Sequence, residues 1–115
     1  MSESCVFCRI VAGELPSTKV YENDHALAIR DINPAAPVHV LVLAKQHFDD
    51  VVELGESDPE AAAAVLEAVA AVARIEQIAD SGFRTAFNTG KQGGQTVAHV
   101  HAHVLGRRQL SEQLG

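Results

Sequence analysis

The sequence predicts an α+β fold, an antiparallel sheet of about five strands with one long and one short helix, in a single domain of 115 residues. Three observations point to it. Residues 38–44 read VHVLVLA, apolar on both faces except at His39, which is the pattern of a central strand covered on two sides. Residues 98–105 alternate, with His99, His101 and His103 on one face and Val100, Ala102 and Val104 on the other, matching the two-residue period of a strand. Between these runs an alanine-rich stretch opens with Asp58-Pro59, a good N-cap followed by proline at the first helical position.

The remaining elements follow in order. In residues 5–13, CVFCRIVAG, the residues Val6, Phe7 and Ile10 share one face of a short helix that Gly13 ends. Leu15-Pro16-Ser17 is a loop, and Lys19–Glu22 and Ala26–Asp31 form a hairpin about Asn23-Asp24, with His25 at the surface of its turn. The prolines of Asn33–Pro37 fix φ and make that loop rigid. The long helix runs from Asp58 to about Ala79, burying Val65, Leu66, Val69, Val72 and Ile75 and exposing Glu60, Glu67, Arg74 and Glu76, until Ser81-Gly82 stops it. Phe83–Asn88 is a fourth strand, Thr89–Thr96 a glycine-rich loop, and Ala98–Leu105 the fifth strand. Tight loops join most strands, so the sheet is antiparallel.

Composition narrows the function. Of the 47% apolar residues many are alanine, and four Phe, one Tyr and no Trp make a light core that would gain from burial in a homodimer. With a net charge of −6 and nine scattered cations there is no phosphate-tracking stripe, which excludes nucleic acid as the main partner. No eighteen-residue apolar run spans a membrane, and the polar, acidic start Met1–Ser4 is not a secretory signal. The expected compartment is the cytoplasm, with Cys5 and Cys8 reduced.

Three imidazoles in line suit a site that handles protons, metal or phosphate, because buried ring nitrogens need partners. Such a strand can contribute ligands to a hydrolytic zinc site, or its middle imidazole can attack phosphorus and form a phospho-histidine adduct. The loop Gly90–Thr96 favours the second reading, since its glycines let backbone N–H groups approach a phosphate. His39, anomalous in an apolar strand, is either a core residue bonded to backbone or a partner of the histidine strand. Cys5-x-x-Cys8 is a redox pair or half of a zinc site, and no thioredoxin-like strand–helix setting follows it.

The run His99-Val100-His101-Ala102-His103-Val104-Leu105 resembles the H-x-H-x-H-x-x signature of the histidine triad (HIT) family. The similarity extends over about residues 5–108, through Cys5–Pro16, Asp31–Pro34, Pro37–Val42, Lys45-Gln46-His47, Asn88-Thr89-Gly90 and Gly93–Thr96, leaving a short tail at 109–115. The chain looks most like the branch of nucleoside phosphoramidases. The resemblance implies a sheet extended across a homodimer and a hydrolase working at the α-phosphate of purine nucleoside 5′-phosphoramidates or adenylylated adducts. His101 would be the nucleophile, forming a covalent nucleotidyl-histidine, and His99 would orient it through its carbonyl. His103 and His39 would bond phosphate oxygens and leaving group, with Gln95 and Thr96 assisting. Asp31 would accept from the ribose, Asn88 would hold the ribose–phosphate side, and Phe7, Ile10, Ile29 and Ile32 would enclose the purine. Histidine rather than glutamine at position 103 favours hydrolysis over nucleotidyl transfer. By the same resemblance Cys5, Cys8, His47 and His99 would hold structural zinc, and no catalytic metal would be needed. Dinucleoside polyphosphate cleavage, and nucleotide binding with incidental turnover, are the alternatives. The Trp- and Pro-containing ending of close relatives, which reaches the partner's site, is absent, while the helix and following strand that would carry the dimer are intact.

Overall fold

A computed structural model describes residues 4–114; Met1–Glu3, read above as part of a polar start, and Gly115 of the tail lie outside the described residues. The order is α1 (Val6–Val11), β1 (Lys19–Glu22), β2 (Ala26–Arg30), β3 (Val38–Ala44), α2 (Val51–Ser57), α3 (Pro59–Ile75), β4 (Phe83–Phe87) and β5 (His101–Gly106). The five strands make one antiparallel sheet in the order β1-β2-β3-β5-β4, which places the two histidine-bearing strands side by side at its centre.

Parity along the strands sorts the core into two layers. Even-numbered Val38, Val40, Val42 and Ala44 of β3 and Ala102 and Val104 of β5 face α3, packing on Ala61, Val65, Ala68, Val69 and Val72. Alanines on both sides of this layer let the helix lie close to the sheet. The other face carries a smaller cluster of Leu27, Ile29, Leu41 and Leu43 under Phe7 of α1. All seven residues of β3 are buried, as expected for a central strand. Among the described residues no helix is long and apolar enough to cross a membrane.

Several expectations are corrected. A separate helix, α2, precedes α3; Asp50 caps it by accepting from the Glu53 N–H at 2.9 Å, and Leu54 is its one buried residue. The long helix ends at Ile75 rather than near Ala79, because Gln77 takes φ +61° and turns Ile78 into the core. Leu66 and Ile75 are exposed rather than buried, lying off the face that Val65, Val69 and Val72 turn to the sheet. Glu76 is the reverse: it is buried, gripped by the two terminal guanidinium nitrogens of Arg30 at 3.0 and 2.8 Å. β2 and β4 each stop one residue early. β5 begins at His101, not Ala98, because the chain bends at 97–99, where the His99 N–H bonds the Val97 carbonyl, and the Val100 N–H is taken by the distant Phe48 carbonyl.

Candidate active site

β3 and β5 pair with Leu41 opposite His103 and Leu43 opposite His101, so His39, His101 and His103 project from the same face of the sheet, toward α1. There His101 and His103 line a cavity of ≈ 510 Å³, whereas His39, expected at the phosphate, stands behind His103 and off the cavity wall. Its apolar wall is Val6, Phe7 and Ile10 of α1 with Leu15, Pro16, Ile29, Ile32 and Leu41; its polar end carries Asp31, Asn33, Thr96, His101 and His103. The Phe7 ring stands edge-on to His101 at 5.0 Å between centroids and to His99 at 5.7 Å. Ile32 stands 90% exposed at the cavity wall, open to contact with an incoming ligand.

Partners that can only donate or only accept assign the imidazole tautomers. The Ala35 N–H donates to His39 Nδ1 at 2.9 Å, so the neutral ring carries its proton on Nε2. That N–H faces His103 Nδ1 at 2.9 Å and Asp31 Oδ2 at 3.3 Å. His103 Nδ1 is therefore the acceptor, and its remaining nitrogen, Nε2, is an N–H donor. His101 has the opposite arrangement: Nδ1–H donates to the His99 carbonyl at 2.8 Å, which leaves Nε2 with the lone pair. One ring thus offers a nucleophilic nitrogen and its neighbour, 5.0 Å away between centroids, offers a donor.

Burial favours the neutral form of His39 and His103. Desolvation pushes His39 below the ordinary histidine range, opposed by the Asp31 carboxylate. His103 is pushed down by desolvation and then by its neighbours His101 and His39, with Asp31 again opposing. Asp31 holds its position by accepting the Asn33 N–H at 2.8 Å through its other oxygen.

Not every expected residue lines the cavity. Asn88 donates to the Gly93 carbonyl at 2.8 Å, and Gln95 spans the Gly90 N–H and the carbonyls of Asp49 and Val97. Both side chains brace the glycine-rich loop instead. His99 lies outside the cavity and before the strand, and contributes its carbonyl there. Residues the sequence reading missed include Val6, Leu15, Pro16, Asn33, Leu41 and Val97 on the walls. The Ala35 N–H and the His99 carbonyl are main-chain groups with no side-chain signature, whereas Val6 could have been found from its place one residue before Phe7.

A second cluster lies at the start of α1. Cys5, Cys8, His47 and His99 bring four ligand atoms within 4.8 Å of one another, and the cysteines form no disulfide. Cys5 Sγ is 3.4 Å from His99 Nδ1, and Cys8 Sγ is 3.2 Å from His47 Nδ1 and 3.6 Å from His99 Nδ1. Tetrahedral zinc, with bonds of about 2.3 Å to sulfur and about 2.0 Å to nitrogen, separates its ligands by roughly 3.3–3.8 Å. The outer shell fits as well. His99 Nε2–H donates to the Ala44 carbonyl at 2.7 Å and His47 Nε2–H to Asp49 at 2.9 Å, so both Nδ1 lone pairs face the sulfurs. Desolvation keeps His99 below the usual histidine range, in its ligating form, with the Ala44 carbonyl opposing. The donor set, the spacing and the tautomers all suit a thiophilic divalent cation.

The sequence and the fold are both similar to those of known proteins. The family model described as the HIT domain matches residues 12–110. A purine nucleoside phosphoramidase of Escherichia coli is 37% identical over 114 residues, covering 99% of this chain and 96% of that protein. Protein HitA of Neisseria gonorrhoeae is 39% identical over 104 residues, covering 90% and 96%. Among solved structures, a HIT family hydrolase from Clostridium thermocellum superposes with a TM-score of 0.94 at 44% identity, covering 99% of both chains.

Proposed function

Because the chain belongs to the histidine triad (HIT) family, we propose that it is a nucleotide hydrolase that cleaves purine nucleoside 5′-phosphoramidates or similar adenylylated adducts at the α-phosphate. One observation carries the reading: His101 Nδ1–H donates to the His99 carbonyl, an arrangement that in the neutral ring puts the Nε2 lone pair beside the cavity. The apolar wall of Phe7, Ile10, Ile29 and Ile32 takes the flat base, and Asp31 accepts from the ribose. His101 Nε2 attacks phosphorus, an N–P bond forms, and the P–N bond to the leaving amine breaks as the amine takes up a proton from solvent. Water then attacks the nucleotidyl-imidazole, releasing nucleoside monophosphate, a proton and the original ring. His103 Nε2–H donates to a phosphate oxygen, and His39 holds His103 in that tautomer. Asn88, Gln95 and the glycines shape the loop whose Thr96 reaches the phosphate end.

Cys5, Cys8, His47 and His99 would hold zinc in a closed four-ligand site, which supplies structural support and leaves no position for a reacting water. A homodimer would form through α3 and β4, where Leu66, Ile75 and Phe83 are exposed and, among the described residues, no strand pairs with the outer edge of β4. The test is hydrolysis of adenosine 5′-phosphoramidate with intact-mass analysis of the quenched enzyme. An adduct mapped to the His101 peptide, absent together with turnover in His101→Ala, is expected. Full turnover by His101→Ala would refute the reading, and turnover of a diadenosine polyphosphate alone would move the substrate to that class.

A further inference from the structure

The cysteine–histidine cluster touches the active site by two short routes. Cys5 caps α1 and Cys8 lies within it, and the residues between and just beyond them, Val6, Phe7 and Ile10, belong to the cavity's apolar wall. His99 belongs to both sites at once: its ring faces the sulfurs, and its carbonyl accepts the His101 Nδ1–H. A helix of six residues has no stability of its own, and only Phe7 and Cys8 of α1 are buried. Phe7 packs on Leu27, Ile29, Leu41 and Leu43 with Ile10 and Val11 partly buried beside it, so what ties the Cys5 and Cys8 sulfurs to His47 and His99 adds to a small set of contacts that hold the wall in place. A second opening of ≈ 400 Å³, lined by Cys5, His47 and Asp49, reaches the cluster from solvent and shares Val6, Thr96 and Val97 with the first.

We infer that this cluster is a control site, at which a thiophilic divalent cation sets the affinity of the neighbouring cavity for a nucleotide. With the cation bound, α1 is pinned to the start of β5 and the wall is ready. Without it α1 frays, and nucleotide binding must supply the free energy of ordering it. The inference rests on the nucleotide reading above. Linkage makes it reciprocal: whatever factor the metal adds to nucleotide affinity, the nucleotide adds to metal affinity.

The experiment uses zinc and AMP as probes on the whole chain. Calorimetry gives the AMP dissociation constant of the zinc-loaded and chelator-stripped protein. Competition with a chromogenic chelator gives the zinc constant with and without saturating AMP, and far-UV circular dichroism monitors the fold. The expected result is AMP binding at least about tenfold weaker without zinc, zinc binding tighter by the same factor with AMP, and retained secondary structure. His47→Gln, at a residue that does not line the nucleotide cavity, should lower zinc affinity and recover AMP binding at high zinc. Equal AMP constants with and without zinc would overturn the inference. So would collapse of the far-UV signal on stripping, since the metal would then hold the whole fold rather than α1. Zinc-loaded protein that fails to bind AMP at all would sink the nucleotide reading and this one with it.

Discussion

Replacing His103 by alanine removes one fixed donor, and the structure says how much that should cost. His103 Nδ1 is occupied by the His39 Nε2–H at 2.9 Å, so Nε2–H is the only donor this ring can offer. Burial holds the ring neutral, which excludes a second proton near pH 7. A fixed donor aimed at an oxygen that gains charge contributes about 10²–10³ in kcat, or about 2.7–4 kcal/mol. His103→Ala should therefore lower kcat on adenosine 5′-phosphoramidate by that factor and leave KM nearly unchanged. His39 acts one step back, as a positioning residue. His39→Ala releases the His103 tautomer and should cost about one hydrogen bond, roughly 1 kcal/mol or about fivefold. His39→Gln, whose amide can still donate to His103 Nδ1, should recover most of that loss. Steady-state kcat and KM for the three variants, each checked by circular dichroism, decide the matter. A rise in KM at constant kcat for His103→Ala would refute the argument, because the donor would then bind ground state and transition state alike. His39→Gln as impaired as His39→Ala would refute the positioning role.

Two further outcomes are expected. His39 and His103 are both pushed below the unfolded value of about 6.5, so the unfolded chain takes up protons first as pH falls; the stability they contribute is present above pH 6.5 and lost as pH drops through their folded values. Melting temperatures followed from roughly pH 8 to pH 5 should fall on the acid side, less steeply for His39→Gln, and parallel curves would contradict this assignment. Gly93→Ala would drive its Cβ into the Thr89 carbonyl and to 2.9 Å from the Thr89 N, which forces the loop open and breaks the Asn88–Gly93 bond. Its kcat/KM should drop more than about tenfold with little change in melting temperature, because the loop is exposed; wild-type kinetics would show that the loop is not held in this form for function.

The legible part of this molecule lies where side-chain pattern and environment agree. Val38–Ala44 reads as a two-sided strand and is one, and Asp58-Pro59 starts α3 where a cap and a proline should. Placing His101 and His103 on one face needed only the two-residue period. α2 escaped notice because it buries Leu54 alone and contains Gly55 and two glutamates, too little periodicity to rise above a loop. Local pattern alone puts Glu76 in water, because its partner Arg30 is 46 positions away and no short-range signal shows such a pair. The end of α3 depends on Gln77 accepting a left-handed conformation, unusual for that residue. In the site, imidazoles and thiols were visible by type, but their proton positions were not. Those follow from the Ala35 N–H and the carbonyls of Ala44 and His99, which every residue type possesses.

Parity has a consequence for the changes this chain can absorb over evolutionary time. Odd positions of β3 and β5 hold the imidazoles, and even positions hold the layer under α3. Deleting or inserting one residue inside either strand would exchange the two sets, turning histidines into the apolar layer and valines toward the cavity. The same edit in the tail after Gly106 shifts no residue of either face. Length variation among descendants of this sequence should therefore gather in the connections, while the strand interiors change by substitution alone.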